Sequence, residues 1–187
     1  MPITLERVAS SERTTLEDLF RVKFAEEGTD RDPEALRKWA QWIDDYFVGT
    51  RCVPLVARAA DETVAFAIVR LGCTPAGADG RTPEKANLVE EFHVLPSHRS
   101  TGMGTRVGDA IFRAYPGRWM ATTWPHGMGV GFWRHVATGC RGVMGREYAP
   151  GEHTGFPGLY VWIVESVEGT DAEPGLPADA EERAADA

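Results

Sequence analysis

The residues best suited to chemistry lie within 88–115, where two adjacent acids precede a glycine-bearing turn. The acids are Glu90 and Glu91, and the turn at 99–104 reads RSTGMG. Glycines let a bound group approach the backbone, and the free N–H groups at a helix start lie at the positive end of the helix dipole. The turn therefore predicts a phosphate-binding site, with an ordinary helix start as the alternative interpretation.

A strand and a helix are predicted on either side of this turn. Residues 88–95 are rich in branched and aromatic side chains and end before Pro96, as a strand does. Beyond Gly102, apolar residues recur at three- and four-residue spacing, which places them on one helical face. They are Met103, Val107, Ala110, Ile111 and Ala114. Pro116 and Gly117 end the helix.

The rest of the chain predicts a mixed α/β domain with the element order β-α-α-β-β-β-α-β-α-β-β. A Thr14–Glu17 capping box and the pair Asp32-Pro33 mark the first two helix starts. The glycine- and proline-rich segment 74–85 is expected to be a mobile hairpin tip, with a lid as the alternative. The strand at 88–95 and the next strand must be parallel, because a helix connects them.

Composition limits the domain organisation and the partners. The 187 residues carry a net charge of −8, and 165–187 account for −7 of it with eight acids and one base. We therefore expect one domain over 1–164 and an acidic, disordered tail over 165–187. The domain itself is near neutral and has no basic stripe, so binding to nucleic acid is not expected.

Targeting and metal-binding patterns are absent from the sequence. Cys52, Cys73 and Cys140 do not have the spacing of metal ligands, so no metal site is predicted and reduced thiols are expected. The first ten residues lack a signal-peptide apolar segment, and no run is apolar enough to span a bilayer. The expected location is the cytoplasm, without membrane contact.

Residues 88–137 resemble the cofactor motif of the GNAT acyltransferase superfamily, Arg/Gln-x-x-Gly-x-Gly/Ala directly after a strand. The resemblance extends over roughly 3–164 and is closest to a bacterial branch with EFFV, YPGRW and FWR motifs. The corresponding segments here are EFHV at 91–94, YPGRW at 115–119 and FWR at 132–134. The resemblance implies the GNAT fold, a mixed central sheet whose two parallel central strands splay apart.

The resemblance further implies an N-acetyltransferase that uses acetyl-CoA as acyl donor and a small-molecule amine as acceptor, with direct transfer between them. The diphosphate of CoA would lie on the turn that follows the motif's Arg99. The matching positions are Ser100, Thr101, Gly102, Met103, Gly104 and Thr105. The pantetheine arm would pair with the main chain of Phe92, His93 and Val94. A homodimer is left open.

The candidate catalytic bases are Glu90 and Glu91. Adjacent strand residues point to opposite faces, so only one of them is expected to face the acceptor. Many superfamily members carry an acid at the position of Glu90, on the face of Phe92 and Val94, which favours Glu90, whereas the closer branch carries one at Glu91. That both are ordinary strand carboxylates is the alternative. The implied oxyanion donor is a backbone N–H near Val94.

The sequence departs from the family at its usual catalytic acid. Trp133 stands at the family's Tyr and His126 at its Asn, in a pattern N-x-x-A-x-x-F-Y. An indole N–H donates a hydrogen bond but does not release its proton at neutral pH. Classical acid catalysis by Trp133 is therefore not expected, and Tyr148 or Tyr160 is the alternative acid, although no pattern selects either. The resemblance assigns Trp133 and His126 to the CoA site. The departures keep two alternative functions open: a CoA-binding sensor or structural protein without transferase activity, and a protein N-acetyltransferase.

Overall fold

A seven-stranded mixed sheet with helices on both faces forms the protein, as seen in a computed structural model that describes residues 2–48, 51–74, 85–126, 129–139 and 143–166. The strands are β1 (Thr4–Arg7), β2 (Cys52–Ala59), β3 (Glu62–Cys73), β4 (Ala86–Val94), β5 (Gly117–Thr123), β6 (Val143–Tyr148) and β7 (Tyr160–Ser166). The helices are α1 (Arg13–Glu27), α2 (Pro33–Tyr46), α3 (Met103–Ala114) and α4 (Gly129–Gly139), with short 3-10 turns at Ser10–Glu12 and Pro96–His98. The predicted fold class is confirmed.

The two central strands are parallel and part from each other. In the sheet order β1-β2-β3-β4-β5-β7-β6, β4 pairs with β5 only from Asn87 to Val89, opposite Trp119 to Ala121. Beyond that point β5 continues its antiparallel pairing with β7 up to Thr123. The second half of β4 therefore borders a gap on its β5 side.

A β-bulge interrupts β4 where the gap begins. Val69 of β3 lies opposite Val89, but Ile68 lies opposite Glu91, so Glu90 is an extra residue without a partner in the ladder. A bulge of this kind shifts the in-and-out alternation of side chains by one position. The bulge therefore determines on which face the two adjacent acids lie.

Each face of the sheet carries its own apolar core. One face packs under α1 and α2 through Phe20, Phe24, Trp39, Ile43, Tyr46, Phe66 and Ile68. The other packs under α3 and α4 through Val107, Ile111, Trp133, Val136, Ala65, Ala67 and Val69. Strand β4 serves both cores, because Phe92 and Val94 pack on the α3–α4 side while His93 stacks on Phe66 at 5.5 Å on the other. The sheet thus separates two environments with β4 between them.

Of the two helix N-termini predicted from capping residues, the structure has the one at α2 and not the one at α1. At α2, Asp32 Oδ1 accepts the Glu34 N–H at 2.9 Å and Pro33 is the first helical residue, as predicted. The Thr14–Glu17 box is wrong, because α1 already begins at Arg13, directly after the first 3-10 turn. The capping contact lies upstream, where the Glu12 carboxylate accepts the Ala9 N–H at 3.1 Å.

Several expectations concern residues outside the described ranges: 75–84 of the predicted hairpin tip, Cys140, and 167–187 of the predicted tail. Strand β7 runs to Ser166, two residues past the predicted domain boundary. Cys52 and Cys73 are free thiols. Within the part of the chain that the structure describes, no helix combines the length and apolarity required to cross a membrane.

Candidate functional site

The gap beside β4 is bordered by main-chain groups of alternate residues. The Leu95 N–H donates to the Val64 carbonyl at 2.9 Å, which makes this a hydrogen-bonded pair of the antiparallel ladder. Because such pairs alternate, the amides of His93 and Glu91 point toward β3, and those of Phe92 and Val94 point toward the gap. Of the three residues predicted to pair with a bound arm, Phe92 and Val94 therefore have their amides on the gap side, whereas His93 has its amide on the β3 side.

The turn after β4 leads into a helix start without a side-chain cap. Ser100 and Gly102 have left-handed backbone conformations, with φ of 60° and 77°. The Arg106 N–H bonds to the Gly102 carbonyl at 3.2 Å, and within the part of the chain that the structure describes no side chain caps α3. The N–H groups of Met103, Gly104 and Thr105 therefore lack acceptors inside the helix and point out of its positive end. This is the geometry of an anion-binding helix start.

Gly104 lets this helix start approach β4 and α4. A Cβ atom on Gly104 would lie 2.9 Å from Phe132 Cε2 and 3.3 Å from Val94 Cγ2, closer than packed side chains allow. The Gly102 position has open space around it, so its glycine serves the positive φ instead. The two glycines thus have separate roles. Gly102 allows the chain to turn, and Gly104 allows the turn to pack closely against Val94 and Phe132 at the end of the gap.

Arg99 ties the turn to β4 and α1. Its Nε donates to the Val94 carbonyl at 2.9 Å, and its Nη1 and Nη2 donate to the two carboxylate oxygens of Glu26 at 2.9 and 2.6 Å. Nη2 also lies 3.2 Å from His93 Nε2. The guanidinium is thus satisfied inside the protein, so the charge that faces a ligand at the turn comes from backbone amides. Glu26 was not predicted from the sequence.

The same three side chains fix each other's protonation. The hydrogen bond from Arg99 lowers the pKa of Glu26. Burial, followed by the positive charge of Arg99, lowers the pKa of His93 to about 4. His93 is therefore neutral at physiological pH and serves as a packing and hydrogen-bonding group between Phe66 and Glu26.

Both glutamates lie on the α1–α2 face of the sheet. Glu90 pairs with Arg70, which faces that side, through three hydrogen bonds of 2.9 to 3.0 Å. Glu91 pairs with Lys23 of α1, with Nζ 2.7 Å from Oε2. The expectation that only one acid faces this side, with Glu90 on the face of Phe92 and Val94, is wrong because the bulge at Glu90 breaks the alternation.

The neighbourhood of the glutamates is partly desolvated. Burial raises the pKa of Glu91, and the charge and hydrogen bond of Lys23 oppose that rise. Burial, together with the charges of Glu91 and Glu90, raises the pKa of the Tyr46 phenol well above its usual range. Lys23 and Arg70 are neighbours of the glutamates that the sequence did not indicate. Tyr46 belongs to the apolar stripe of α2, which the sequence predicts as core, with contact between a substrate and Trp42 or Tyr46 as the alternative. The one available signal was Lys23, a charged residue between Phe20 and Phe24 on the apolar stripe of α1.

Trp133 and His126 lie in different surroundings. Trp133 is buried and packs edge-on against Phe92, with ring centroids 5.4 Å apart, and against Phe132 at 4.8 Å. It is therefore part of the wall beneath the gap side of β4. His126 is exposed in the turn after β5.

No protein-family model and no curated protein matches the sequence. Solved structures do match, among them an acetyltransferase from Thermus thermophilus, with 16% identity, a TM-score of 0.61, and coverage of 89% of this chain and 98% of that one. A GNAT-family acetyltransferase from Streptococcus agalactiae has 12% identity and a TM-score of 0.62 over 89% and 96% of the two chains. The protein has the GNAT acetyltransferase fold. A third match is aminoglycoside acetyltransferase AAC(6')-Ib with coenzyme A and kanamycin, at 13% identity, a TM-score of 0.56, and 88% and 94% coverage.

Within this GNAT fold, β4 has two chemically different sides. Its edge toward β5 offers backbone hydrogen-bond groups that lead to an uncapped helix start, which suits an extended ligand ending in a phosphate. Its α1–α2 face offers two carboxylates, each paired with a cation, which suits proton transfer beside a bound amine. The bulge lies where these two sides meet.

Proposed function

We propose that the protein is a GNAT-superfamily N-acetyltransferase that transfers the acetyl group of acetyl-CoA directly to a small-molecule amine. The observation that carries this proposal is the parting of β4 and β5 after Val89, beside the uncapped start of α3. The segments at 91–94, 115–119 and 132–134 further support placement in the bacterial branch with EFFV, YPGRW and FWR motifs.

The chain's own residues fit a CoA ligand along this path. The seat for the diphosphate is the backbone of Ser100 to Thr105, where Gly102 supplies the turn and Gly104 the close packing. The gap-facing main chain of Phe92 and Val94 serves the pantetheine arm. Acetyl-CoA, when bound, supplies a thioester carbonyl for attack by an amine. The Val94 N–H is the donor assigned to the developing oxyanion.

Arg99, His93 and Trp133 hold this path in shape. Arg99 fixes the Val94 carbonyl, and His93 contacts Arg99 and Glu26 on the α1–α2 face of β4. Trp133 supports Phe92 from below. His126 is assigned to the outer end of the CoA site, from its exposed position after β5.

Proton transfer in this proposal needs a base but no acid. An acceptor amine is protonated at neutral pH and must lose a proton before its nitrogen can attack. We assign that role to Glu90 and Glu91, which share the α1–α2 face of the sheet and each pair with a cation there. A thiol pKa of about 8.5 makes a thiolate an acceptable leaving group at neutral pH. Trp133 at the family's tyrosine position is therefore compatible with turnover.

A small amine is the acceptor class that we propose. AAC(6')-Ib, which shares the fold, is known with kanamycin bound, and this supports a small-molecule acceptor here. The near-neutral domain offers little attraction for a basic peptide, which argues against acetylation of proteins. The free thiols of Cys52 and Cys73 fit a reducing cytoplasm.

Two measurements test the proposal. Calorimetry with acetyl-CoA should give saturable one-site binding, and a thiol-release assay across a panel of small amines should find at least one acceptor. Saturable binding without thiol release from any amine or basic peptide would favour the CoA-binding sensor. Absence of binding would overturn both proposals.

A further inference from the structure

Lys23 occupies an unusual place for a lysine. It lies on the inward face of α1, with Nζ 5.8 Å from the ring centre of Phe20 and 5.1 Å from that of Phe24. Only 16% of its side chain is exposed. Placing an ammonium group among aromatic rings costs free energy unless a carboxylate accompanies it. The position of Lys23 is therefore stabilised by its acidic neighbours.

Those neighbours are Glu91 and Glu27. Lys23 Nζ lies 2.7 Å from Glu91 Oε2 and 3.7 Å from Glu27 Oε1. Lys23 and Glu91 are separated by 68 residues in the chain, so this contact links α1 directly to the bulged part of β4. The aromatic rings on one side of Lys23 and the carboxylates on the other leave the ammonium little freedom to move.

We propose that Lys23 is a positioning residue that holds the Glu91 carboxylate at the acceptor face, and that Glu91, and not Glu90, takes the proton from the amine. This inference rests on the proposed acetyltransferase function and deepens it by dividing the roles of the two glutamates.

The ion pairs Glu91–Lys23 and Glu90–Arg70 differ in exposure and in the number of carboxylate oxygens that the cation occupies. Both carboxylate oxygens of Glu90 accept hydrogen bonds from Arg70. The Glu90 side chain is 29% exposed and the Arg70 side chain is 42% exposed. Glu91 is less exposed, at 21%, and its hydrogen bond to Lys23 uses Oε2. Among contacts between described residues, Glu91 Oε1 has no such partner and is available to a substrate proton. A fork that occupies both oxygens of Glu90 opposes the same use of Glu90.

The proton balance of the step is simple. Glu91 takes one proton from the acceptor ammonium, which frees the nitrogen lone pair that forms the C–N bond. As the C–S bond breaks, its electron pair stays on sulfur, and the second N–H proton, made acidic by C–N bond formation, goes to that sulfur. Glu91 then returns its proton to water. Neither an oxidant nor a further reactant is required.

Lys23 also sets the pH range in which Glu91 is a base. The groups that face Glu91 are Lys23 and Glu27 of α1, Glu90 of β4 and Tyr46 of α2. Burial raises the pKa of Glu91, and Lys23 opposes it, so removing Lys23 raises the pKa further. A protonated carboxyl cannot accept a proton. Loss of Lys23 should therefore move the acidic limb of the pH profile to higher pH.

The test compares kcat/KM against pH for the full chain and for Lys23→Met, Lys23→Arg and Arg70→Met, with one amine throughout so that its own ionisation is constant. Lys23→Met should move the acidic limb up by about one pH unit, and so lower kcat/KM about tenfold below the limb. Lys23→Arg should restore its position, and Arg70→Met should leave the limb where it is. Lys38→Met, which breaks an exposed pair with Glu34 on α2, is the matched control and should change nothing.

Two further measurements separate the outcomes. Melting temperature and acetyl-CoA calorimetry show whether each variant is folded, and NMR titration of labelled glutamate carboxyls, assigned with Glu91→Gln, reads the pKa of Glu91 without turnover. An unmoved limb and an unmoved Glu91 titration in folded Lys23→Met would overturn the inference, as would a limb that moves only in Arg70→Met. If the unmodified protein acetylates no amine, the proposed function itself fails, which is a distinct result.

Discussion

The two sides of β4 are built in different ways. The CoA side consists of backbone: the gap-facing amides of Phe92 and Val94 and the first turn of α3. The acceptor side consists of side chains that meet across long stretches of sequence, as in the pairs Lys23–Glu91 and Arg70–Glu90. The CoA side therefore depends on where the chain turns, and the acceptor side on where a bulge places two acids. Substitutions confined to one side should therefore spare the other.

The largest effect is expected at Gly102. Aspartate there places a carboxylate at the positive helix start, where it would compete with a bound phosphate. Gly102→Asp should weaken acetyl-CoA binding about a hundredfold, roughly 3 kcal/mol, by calorimetry. Gly102→Asn, which tolerates this backbone conformation and adds no charge, is the control and should lose much less. Equal affinity of the Asp variant and the unmodified protein would contradict the assigned phosphate seat.

The second effect should appear on the acceptor side alone. Glu91→Gln should lower kcat about a hundredfold, because it removes the assigned base. Glu90→Gln should cost less, because it removes the partner of Arg70. Both variants should keep their acetyl-CoA affinity, since neither side chain faces the gap. A larger loss of kcat in Glu90→Gln would reverse the assignment, and loss of affinity in either would remove the separation between the two sides.

The third prediction concerns His93, which connects the sides. Its folded pKa is about 4 against an ordinary value of 6.5, so between these values the unfolded chain binds a proton that the folded chain does not. The contribution of His93 to the free energy of unfolding is therefore fully present above pH 6.5 and is lost as the pH falls toward 4. Lowering the pH from about 7 to about 5 should cost on the order of 2 kcal/mol through this ring, and His93→Gln should lose less over the same range. Urea unfolding at the two pH values measures both, and equal losses would rule out this role.

The smallest effect is expected from Trp133→Phe. The substitution removes a buried indole that packs on Phe92, which should lower the free energy of unfolding by about 1 to 2 kcal/mol. The shape of the pH profile of kcat should remain the same, because the indole gives up no proton. Thermal melting and the pH profile test the two parts, and a changed shape of the pH profile in the Phe variant would show that this position does act in proton transfer.

The contrast also explains what the sequence could predict. Element order, the parallel central pair and the turn at 99–104 follow from periodicity, glycine placement and the need for a helical crossover, all local signals. The sequence did not predict that Glu90 and Glu91 lie on the same face of the sheet, because alternation assumes a regular strand and nothing in 88–95 marks a bulge. The pairing of Arg99 with Glu26 spans 73 residues, so local pattern does not predict it. The Thr14 cap failed because a 3-10 turn directly before Arg13 already starts the helix.

The central claim is that backbone amides on the gap side of β4 and at the start of α3 bind the CoA donor. Amide NMR of the full chain titrated with acetyl-CoA tests it most directly. Acetyl-CoA should cause saturable shifts that are largest at the amides of Phe92, Val94, Met103, Gly104 and Thr105, and smaller at those of Lys23 and Tyr46. Shifts centred on α1 and α2 with the α3 start unchanged, or no saturable shift at all, would contradict it.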